Sequence, residues 1–375
     1  MTALLEQLEG QIDLIYADPP FLSGNAYSAR VGRGEDSRRP DEWTTAPGYS
    51  DSWDNSADYL NMLYPRLEAM HRLLSPTGAL YLHLDWHASA YARLILDEIF
   101  GPERLLNEIV WVYHGPSPIR SAFNRKHDTI LVYTKTRDHA FNADDVRVPY
   151  AEATVETFKA SPKAGFGKKP DLERGKVPED WWYFPVVARL HRERTGYPTQ
   201  KPEALLERII RASCPEGGLV ADFFCGSGTT LAVASRLNRQ WIGADQARLA
   251  IAVAYRRLLL MDPRPRIDVF GQRGFDEDGT LSPVVEVHAD PLSVELIGMG
   301  GSMAPQEFPD SVVAWEIDWD FDGQVFASRA QAVRQFGEES MAMTLSVPSA
   351  SPGATIAVRV FDSLGRTGTA TVRRH

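Results

Sequence analysis

Short apolar runs alternate with amphipathic stretches through the first two-thirds of the chain, the pattern that builds a parallel βαβ sheet. Residues 12–17, Ile-Asp-Leu-Ile-Tyr-Ala, are apolar at almost every position, as a strand buried on both faces requires. From 56 to 74, Leu60, Leu63, Leu67, Met70 and Leu74 recur at helical spacing, and Pro65 is expected to kink that helix. Ser75-Pro76-Thr77-Gly78 reads as a turn, 79–84 as a strand, 88–100 as a helix, and 109–113 and 129–133 as two further strands. The stretch 135–195 has no clear period and is basic and aromatic, with Phe166, Trp181, Trp182, Tyr183 and Phe184.

Regularity returns at Pro202, which suits a first helical turn, and Leu205, Leu206, Ile209 and Ile210 supply one apolar face. Residues 219–224 read as a strand, 226–228 as a glycine loop, 229–237 as a helix and 241–243 as a strand. Beyond Asp262 a period of two takes over: Trp315, Ile317, Trp319 and Phe321 point one way and Glu316, Asp318, Asp320 and Asp322 the other. The expected fold is therefore α/β, a Rossmann-like, mostly parallel sheet with helices on both faces, plus a C-terminal all-β sandwich. The expected domains are 1–267, with an inserted region at about 135–195, and a small acidic unit at 280–375.

Composition narrows the class. With 375 residues and 43% hydrophobic positions the chain can bury a large core, and its length favours two domains. Cys214 and Cys225 are the only cysteines, which excludes a disulfide framework and suggests a reducing compartment. No apolar run reaches the roughly 18–20 residues of a membrane helix; the longest, 249–261, is broken by Arg256 and Arg257. The N-terminus carries no signal-peptide pattern, so the expected location is the cytoplasm. The net charge of −10 hides a split. Residues 268–375 hold 16 acids and seven arginines, whereas 110–211 carry a net +5 and all eight lysines lie between Lys126 and Lys201. A local basic surface of this kind can meet phosphate despite an acidic whole.

Three segments carry candidate chemistry. Asp18-Pro19-Pro20-Phe21 follows the first buried strand, where an open α/β sheet places its ligand crevice. The prolines leave backbone carbonyls free of competing local donors, Asp18 adds a carboxylate, and Phe21 adds a flat face. The set suits a planar group that donates two N–H bonds. Asp222-Phe223-Phe224-Cys225-Gly226-Ser227-Gly228-Thr229 runs from strand through glycine loop into helix, and Asp245 follows Gly226 by 19 residues, as a ribose acceptor should. The loop lacks the third glycine of a dinucleotide fingerprint and the Gly-Lys-Ser/Thr of a phosphate loop, which disfavours NAD and ATP. Gly196-Tyr197-Pro198-Thr199-Gln200-Lys201-Pro202 leads into the preceding helix.

In this order the three segments resemble the N4-cytosine/N6-adenine DNA amino-methyltransferases in their permuted, beta-class arrangement, over about residues 11–260. The resemblance implies S-adenosylmethionine as cofactor, bound by Asp222, Phe224, Gly226, Gly228, Thr229 and Asp245, with Thr199 and Lys201 bordering the pocket. It implies catalysis by Asp18, Pro19, Pro20 and Phe21 on an amine of an extruded base, with no covalent enzyme intermediate. Adenine N6 is preferred over cytosine N4, because Asp and not Ser opens the tetrapeptide. It further implies duplex DNA as partner, held by Arg30, Arg33, Arg38 and Arg39 in a loop from 22 to 54 and by Lys163, Lys168 and Lys169 in the 135–195 region. A cognate restriction endonuclease and a homodimer are the other candidate partners, and no membrane is implied. Family members usually carry one more strand upstream, ending in an acid beside the cofactor adenine; here the first strand starts eleven residues from Met1. A rival reading is therefore an inactive DNA-binding or assembly subunit, and a third is a methyltransferase acting on small molecules or proteins.

Two patterns compete for metal. His83, Asp85 and His87 alternate and would share a face on a continuous strand, and Asp318-Trp319-Asp320-Phe321-Asp322-Gly323 opens like a calcium loop with Arg329 where glutamate is needed. Neither outweighs a strand-end reading, and no metal is expected. Cys225 is expected to be a loop residue, not a nucleophile.

Overall fold

The computed structural model describes residues 2–31, 45–116, 119–160, 170–188, 191–267, 284–290, 293–300, 308–323, 326–335, 340–348 and 354–373. In chain order the elements are α1 (Thr2–Leu8), β1 (Ile12–Ala17), β2 (Ala26–Arg30), β3 (Thr45–Ser50), α2 (Ser56–Leu73), β4 (Leu74–Leu84), α3 (Ser89–Phe100), β5 (Leu105–Val112), β6 (His127–Thr134), α4 (Glu152–Ala160), β7 (Trp181–Tyr183), α5 (Glu203–Ser213), β8 (Leu219–Asp222), α6 (Thr229–Arg236), β9 (Gln240–Gly243) and α7 (Arg248–Leu259). The C-terminal part adds β10 (Val284–Asp290), β11 (Ser293–Gly300), β12 (Val312–Asp318), β13 (Ala330–Val333), β14 (Thr344–Ser346), β15 (Thr355–Asp362) and β16 (Thr367–Arg373).

A seven-stranded sheet runs in the order β7-β5-β6-β4-β1-β8-β9. Its β1–β4, β1–β8, β8–β9 and β5–β7 pairs are parallel, and β6 is antiparallel to both neighbours. Strand β1 is central and explains its own composition. Ile12, Ile15 and Ala17 join the layer under α2 and α3, while Leu14 and Tyr16 join the layer under α5 and α6. Burying each of the Ile and Leu side chains among them contributes about 1.5–3 kcal/mol. The one acid in the strand, Asp13, accepts from the Leu219 amide at 2.9 Å and from Ser75 at 3.3 Å, tying β1 to both neighbours.

Helix α2 starts at Asn55, whose side chain accepts from the Asp58 amide, and it runs to Leu73 with Pro65 inside. The turn expected at 75–78 is instead part of β4. The strand begins directly at Leu74, and the extra residues are absorbed by a register shift between Ile12↔Leu74 and Leu14↔Ala79. The irregular 135–195 region contains, among its described residues, a short 3₁₀ helix (Ala143–Val146), α4 and the three-residue strand β7, which pairs with β5. The presumed loop 22–54 likewise contains a hairpin, β2 against β3.

In the C-terminal part, a three-stranded sheet (β10-β11-β14) and a four-stranded sheet (β13-β12-β15-β16), both antiparallel, share one apolar core around Val294, Leu296, Trp315, Ile317 and Val358. The alternation that runs through Asp322 in the sequence stops as strand at Asp318. Within the strand the polar face is not solvated, whereas Asp320 and Asp322 beyond it are exposed: Glu316 is fully buried and takes hydrogen bonds from Tyr255 of α7 and from Arg359. A buried carboxylate needs such partners. Among the described residues no helix is long and apolar enough to cross a membrane.

Candidate active site

The carboxyl ends of β1, β8 and β9 lie side by side. Leu14↔Val220 and Tyr16↔Asp222 pair β1 with β8, and Asp222↔Gly243 pairs β8 with β9. Register alone therefore brings Asp18, the glycine loop and Asp245 to one edge, and there a cavity of about 690 Å³ opens. Asp18, Pro20, Thr199, Lys201, Asp222, Phe224, Gly226, Thr229 and Asp245 all line it. That volume lies within the range of small-molecule sites, and the walls mix apolar and polar groups as such sites do.

At the β1 end, one Asp18 oxygen is paired with the buried Lys201 ammonium. The other, Oδ1, is buried and has no partner among the described residues. Such an acceptor is costly unless a ligand completes it. Lys201 also lies 5.2 Å from the Phe21 ring centroid. Phe21 stacks on His83 at 5.8 Å, and His83 is fully buried between Tyr16 (Nδ1, 2.7 Å) and Asp128 (Nε2, 3.2 Å). Tyr113 donates to the second Asp128 oxygen. A carboxylate only accepts, so the ring donates from Nε2 to Asp128, while Nδ1 faces the Tyr16 hydroxyl. His83 thus supports Phe21 and bonds Asp128, while Asp85 pairs with His87.

The loop after Phe21 depends on Asp51. Its carboxylate, almost fully buried, accepts from the amides of Phe21, Leu22 and Ser23 at 3.0, 2.8 and 2.9 Å, and also from Ser23 Oγ and Trp53 Nε1. Leu22 sits at φ 66, where a branched side chain is strained, and the three-amide grip holds it there. The sequence gives no sign of this role, because the contact spans about thirty residues and Asp51 sits in no recognisable pattern.

At the β8 end, Asp222 is fully enclosed, and burial pushes its carboxyl up to about 7 despite hydrogen bonds from Thr230 and the Phe224 amide. Asp245 holds Gly226 N and Ala247 N at 2.9 Å each, one per oxygen, which fixes the carboxylate beside the loop; burial raises its pKa as well. Gly226 takes φ +47, bending the chain around this contact. Gly228 does not line the cavity. A Cβ there would stand 2.7 Å from the Ala254 Cβ, so this glycine allows α7 to pack against the start of α6. The Thr229 hydroxyl is held by Arg257 at 2.9 Å and bonds the Lys201 carbonyl, linking the loop to the Thr199–Lys201 segment. Cys225 is buried, and burial drives its thiol well above the ordinary range, which fits a packing role.

Of the basic residues expected on DNA, Arg30 is half-buried and lines a small crevice with Asp362 and Ser363 of the C-terminal part. Arg33, Arg38, Arg39, Lys163, Lys168 and Lys169 lie outside the described residues. On the edge that carries Asp18, other groups are open to solvent: Trp86 with Arg125 4.1 Å over its ring, Phe123 and Tyr183.

A mostly parallel sheet covered by helices on both faces thus carries one cavity at the carboxyl ends of β1, β8 and β9, where an open α/β sheet places its ligand crevice. Comparison with known proteins supplies the family. The sequence profile of the DNA methylases with N6 or N4 specificity matches residues 12–256, and the chain belongs to this family. It is 32% identical over 269 residues to the type II methyltransferase M.BglII of Bacillus subtilis, covering 69% of this chain and 66% of that one. It is 33% identical over 258 residues to M.HpaI of Haemophilus parainfluenzae, covering 68% and 71%. With the DNA adenine methyltransferase YhdJ of Escherichia coli K12 it shares 30% over 251 residues, covering 66% and 76%. The profile match ends in α7, so the C-terminal sheets lie beyond it.

Proposed function

We propose that this protein transfers a methyl group from S-adenosylmethionine to the exocyclic N6 amine of an adenine extruded from duplex DNA. The observation that carries the reading is the Asp18 carboxylate: one oxygen on Lys201, the other buried without a partner among the described residues, on the wall of the same cavity as the glycine loop. The cavity's volume, the Gly226 bend and the fixed Asp245 carboxylate fit a nucleoside, and Asp222 with Thr199 and Lys201 would border its amino-acid end. Bound there, S-adenosylmethionine supplies an electrophilic methyl group on a sulfonium.

An aromatic amine is a weak nucleophile because its lone pair is delocalised into the ring. Asp18 Oδ1 and the Pro19 carbonyl accept its two N–H bonds, draw the nitrogen toward tetrahedral geometry and direct the lone pair at the methyl group. Asp18 takes the proton that the nitrogen sheds once methylated. Phe21, backed by His83, stacks on the base. A base inside a duplex cannot reach this pocket, so extrusion is required. Trp86, Phe123 and Tyr183, with Arg125, give the surrounding edge stacking faces and positive charge. The adenine assignment draws on Asp at the head of the tetrapeptide and on the named activity of the YhdJ relative.

The test is a calorimetric titration with S-adenosylmethionine followed by labelled-methyl transfer to plasmid. Binding and salt-sensitive transfer to DNA are expected; no binding at millimolar cofactor contradicts the reading. The titration also has a predicted pH dependence. Asp222 holds its proton below about pH 7, and the ionised form is the one that attracts a ligand's ammonium group. Affinity should therefore rise about tenfold from pH 6 to pH 8. Asp222→Asn should flatten that slope, and a wild-type slope of zero would refute the assignment.

A further inference from the structure

We infer that the C-terminal β part is a working wall of the methyl-donor site: the turn joining β15 to β16 closes the end of the cavity that lies beyond Asp245, where a nucleoside's base would rest. This rests on the reading of the cavity as an S-adenosylmethionine site.

Phe361, Gly365, Arg366 and Thr367 line the same cavity as Asp245 and Arg248. The turn is pressed onto the first turn of α7. Gly365 sits at φ +80, and a Cβ there would lie 2.6 Å from the Arg248 carbonyl carbon and oxygen and 2.7 Å from the Leu249 Cα. Only glycine allows that approach. Leu364 packs into a cluster containing Tyr197 and Leu249, and Tyr197 also borders the cavity next to Gly226.

The turn is also stiff. Buried Asp362 accepts from the amides of Leu364 and Arg366 at 2.9 and 2.8 Å and pairs with the buried Arg366 guanidinium. Behind it the two parts are joined by Tyr255 donating to Glu316, the Tyr255 ring against Phe361 at 4.7 Å, and Arg256 Nε on the Arg334 carbonyl at 2.7 Å. Each bond uses groups buried in the junction. A flexible appendage would not be held in this way; the arrangement places a preformed surface at the base end of the pocket and makes cofactor affinity depend on the C-terminal part.

Hydrogen exchange of the full-length protein, with and without S-adenosylmethionine, tests this. Cofactor should slow exchange both in the segment 226–230 and in the turn 363–368. Protection of 226–230 with no change in the turn would overturn the inference and leave the cofactor reading standing; no protection in either would overturn both. A second measurement avoids dependence on local opening. Thr367→Trp places bulk at an exposed cavity position, so folding should be kept. Its Kd for S-adenosylmethionine should rise at least tenfold, and that for adenosine by a similar factor. A variant that melts like wild type and binds both equally well would overturn the inference.

Discussion

Asp18→Ala should lower methyl transfer by roughly 10²–10³-fold, the range found when a single group aimed at developing charge is removed. Cofactor affinity should stay within about threefold, because the residues placed around the nucleoside come from the loops after β8 and β9, from α7 and from the β15–β16 turn, and not from the loop after β1. The expected loss has two sources. The amine loses the acceptor that pyramidalises its nitrogen, and Lys201 loses the carboxylate that neutralises it in a buried position. Lys201→Met in the Asp18→Ala background separates these. It should restore thermal stability without restoring turnover, since an apolar side chain removes the unpaired charge but supplies no acceptor. Single-turnover transfer of labelled methyl, set beside calorimetric Kd values, reads both quantities. An Asp18→Ala enzyme with wild-type turnover would remove Asp18 from the chemistry.

Asp51→Ala should be nearly as damaging although Asp51 touches no reacting atom. The substitution strips an acceptor from three backbone amides, a hydroxyl and an indole N–H at once. Each buried donor left unsatisfied costs about 1–3 kcal/mol, although relaxation and entering water will recover part of the sum. A net loss of about 3 kcal/mol corresponds to a drop in melting temperature of about 5 °C. The larger effect falls on transfer. With Leu22 released from φ 66, Phe21 and the preceding prolines lose their fixed position, and misplacing a reacting group by 1 Å can cost about 10²-fold. Asp51→Asn keeps one acceptor and should lie between the two. The identifying readout is a kcat loss of about 100-fold with cofactor Kd changed only a few-fold; an equal loss in both would mean general unfolding, not a displaced loop.

What the sequence made legible follows from how local each signal is. Strand β1 announces itself because both faces are buried, so its apolar run is nearly continuous. Helix α5 has Leu205, Leu206, Ile209 and Ile210 on one side, and the glycine loop must appear as glycines because Gly226 and Gly228 adopt positive φ. Once these were placed, adjacency of β1 and β8 brought the acceptor turn and the loop together. Where structure departs from local pattern, tertiary context decides. Ser75-Pro76-Thr77-Gly78 has turn chemistry, yet pairing with β1 keeps it within a strand. Strand β7 is three residues long and gains its place only from β5, and Trp181 and Tyr183 are exposed, so no alternation reveals it. Glu316 and Asp318 look like a solvated face but are buried against α7, Arg359 and Arg329. Asp51 and the β15–β16 turn are the extreme cases, since their contacts join segments far apart in the chain.

The central claim, that Asp18 presents the amine of an extruded base to a methyl donor held at the glycine loop, is tested most directly on DNA itself. DNA from cells expressing the wild-type chain and the Asp18→Ala chain can be digested to nucleosides and resolved by mass spectrometry. Wild type should yield N6-methyladenine that is absent with Asp18→Ala. Cytosine methylated at ring carbon, or no modified base from a wild-type protein that binds S-adenosylmethionine, would contradict the account.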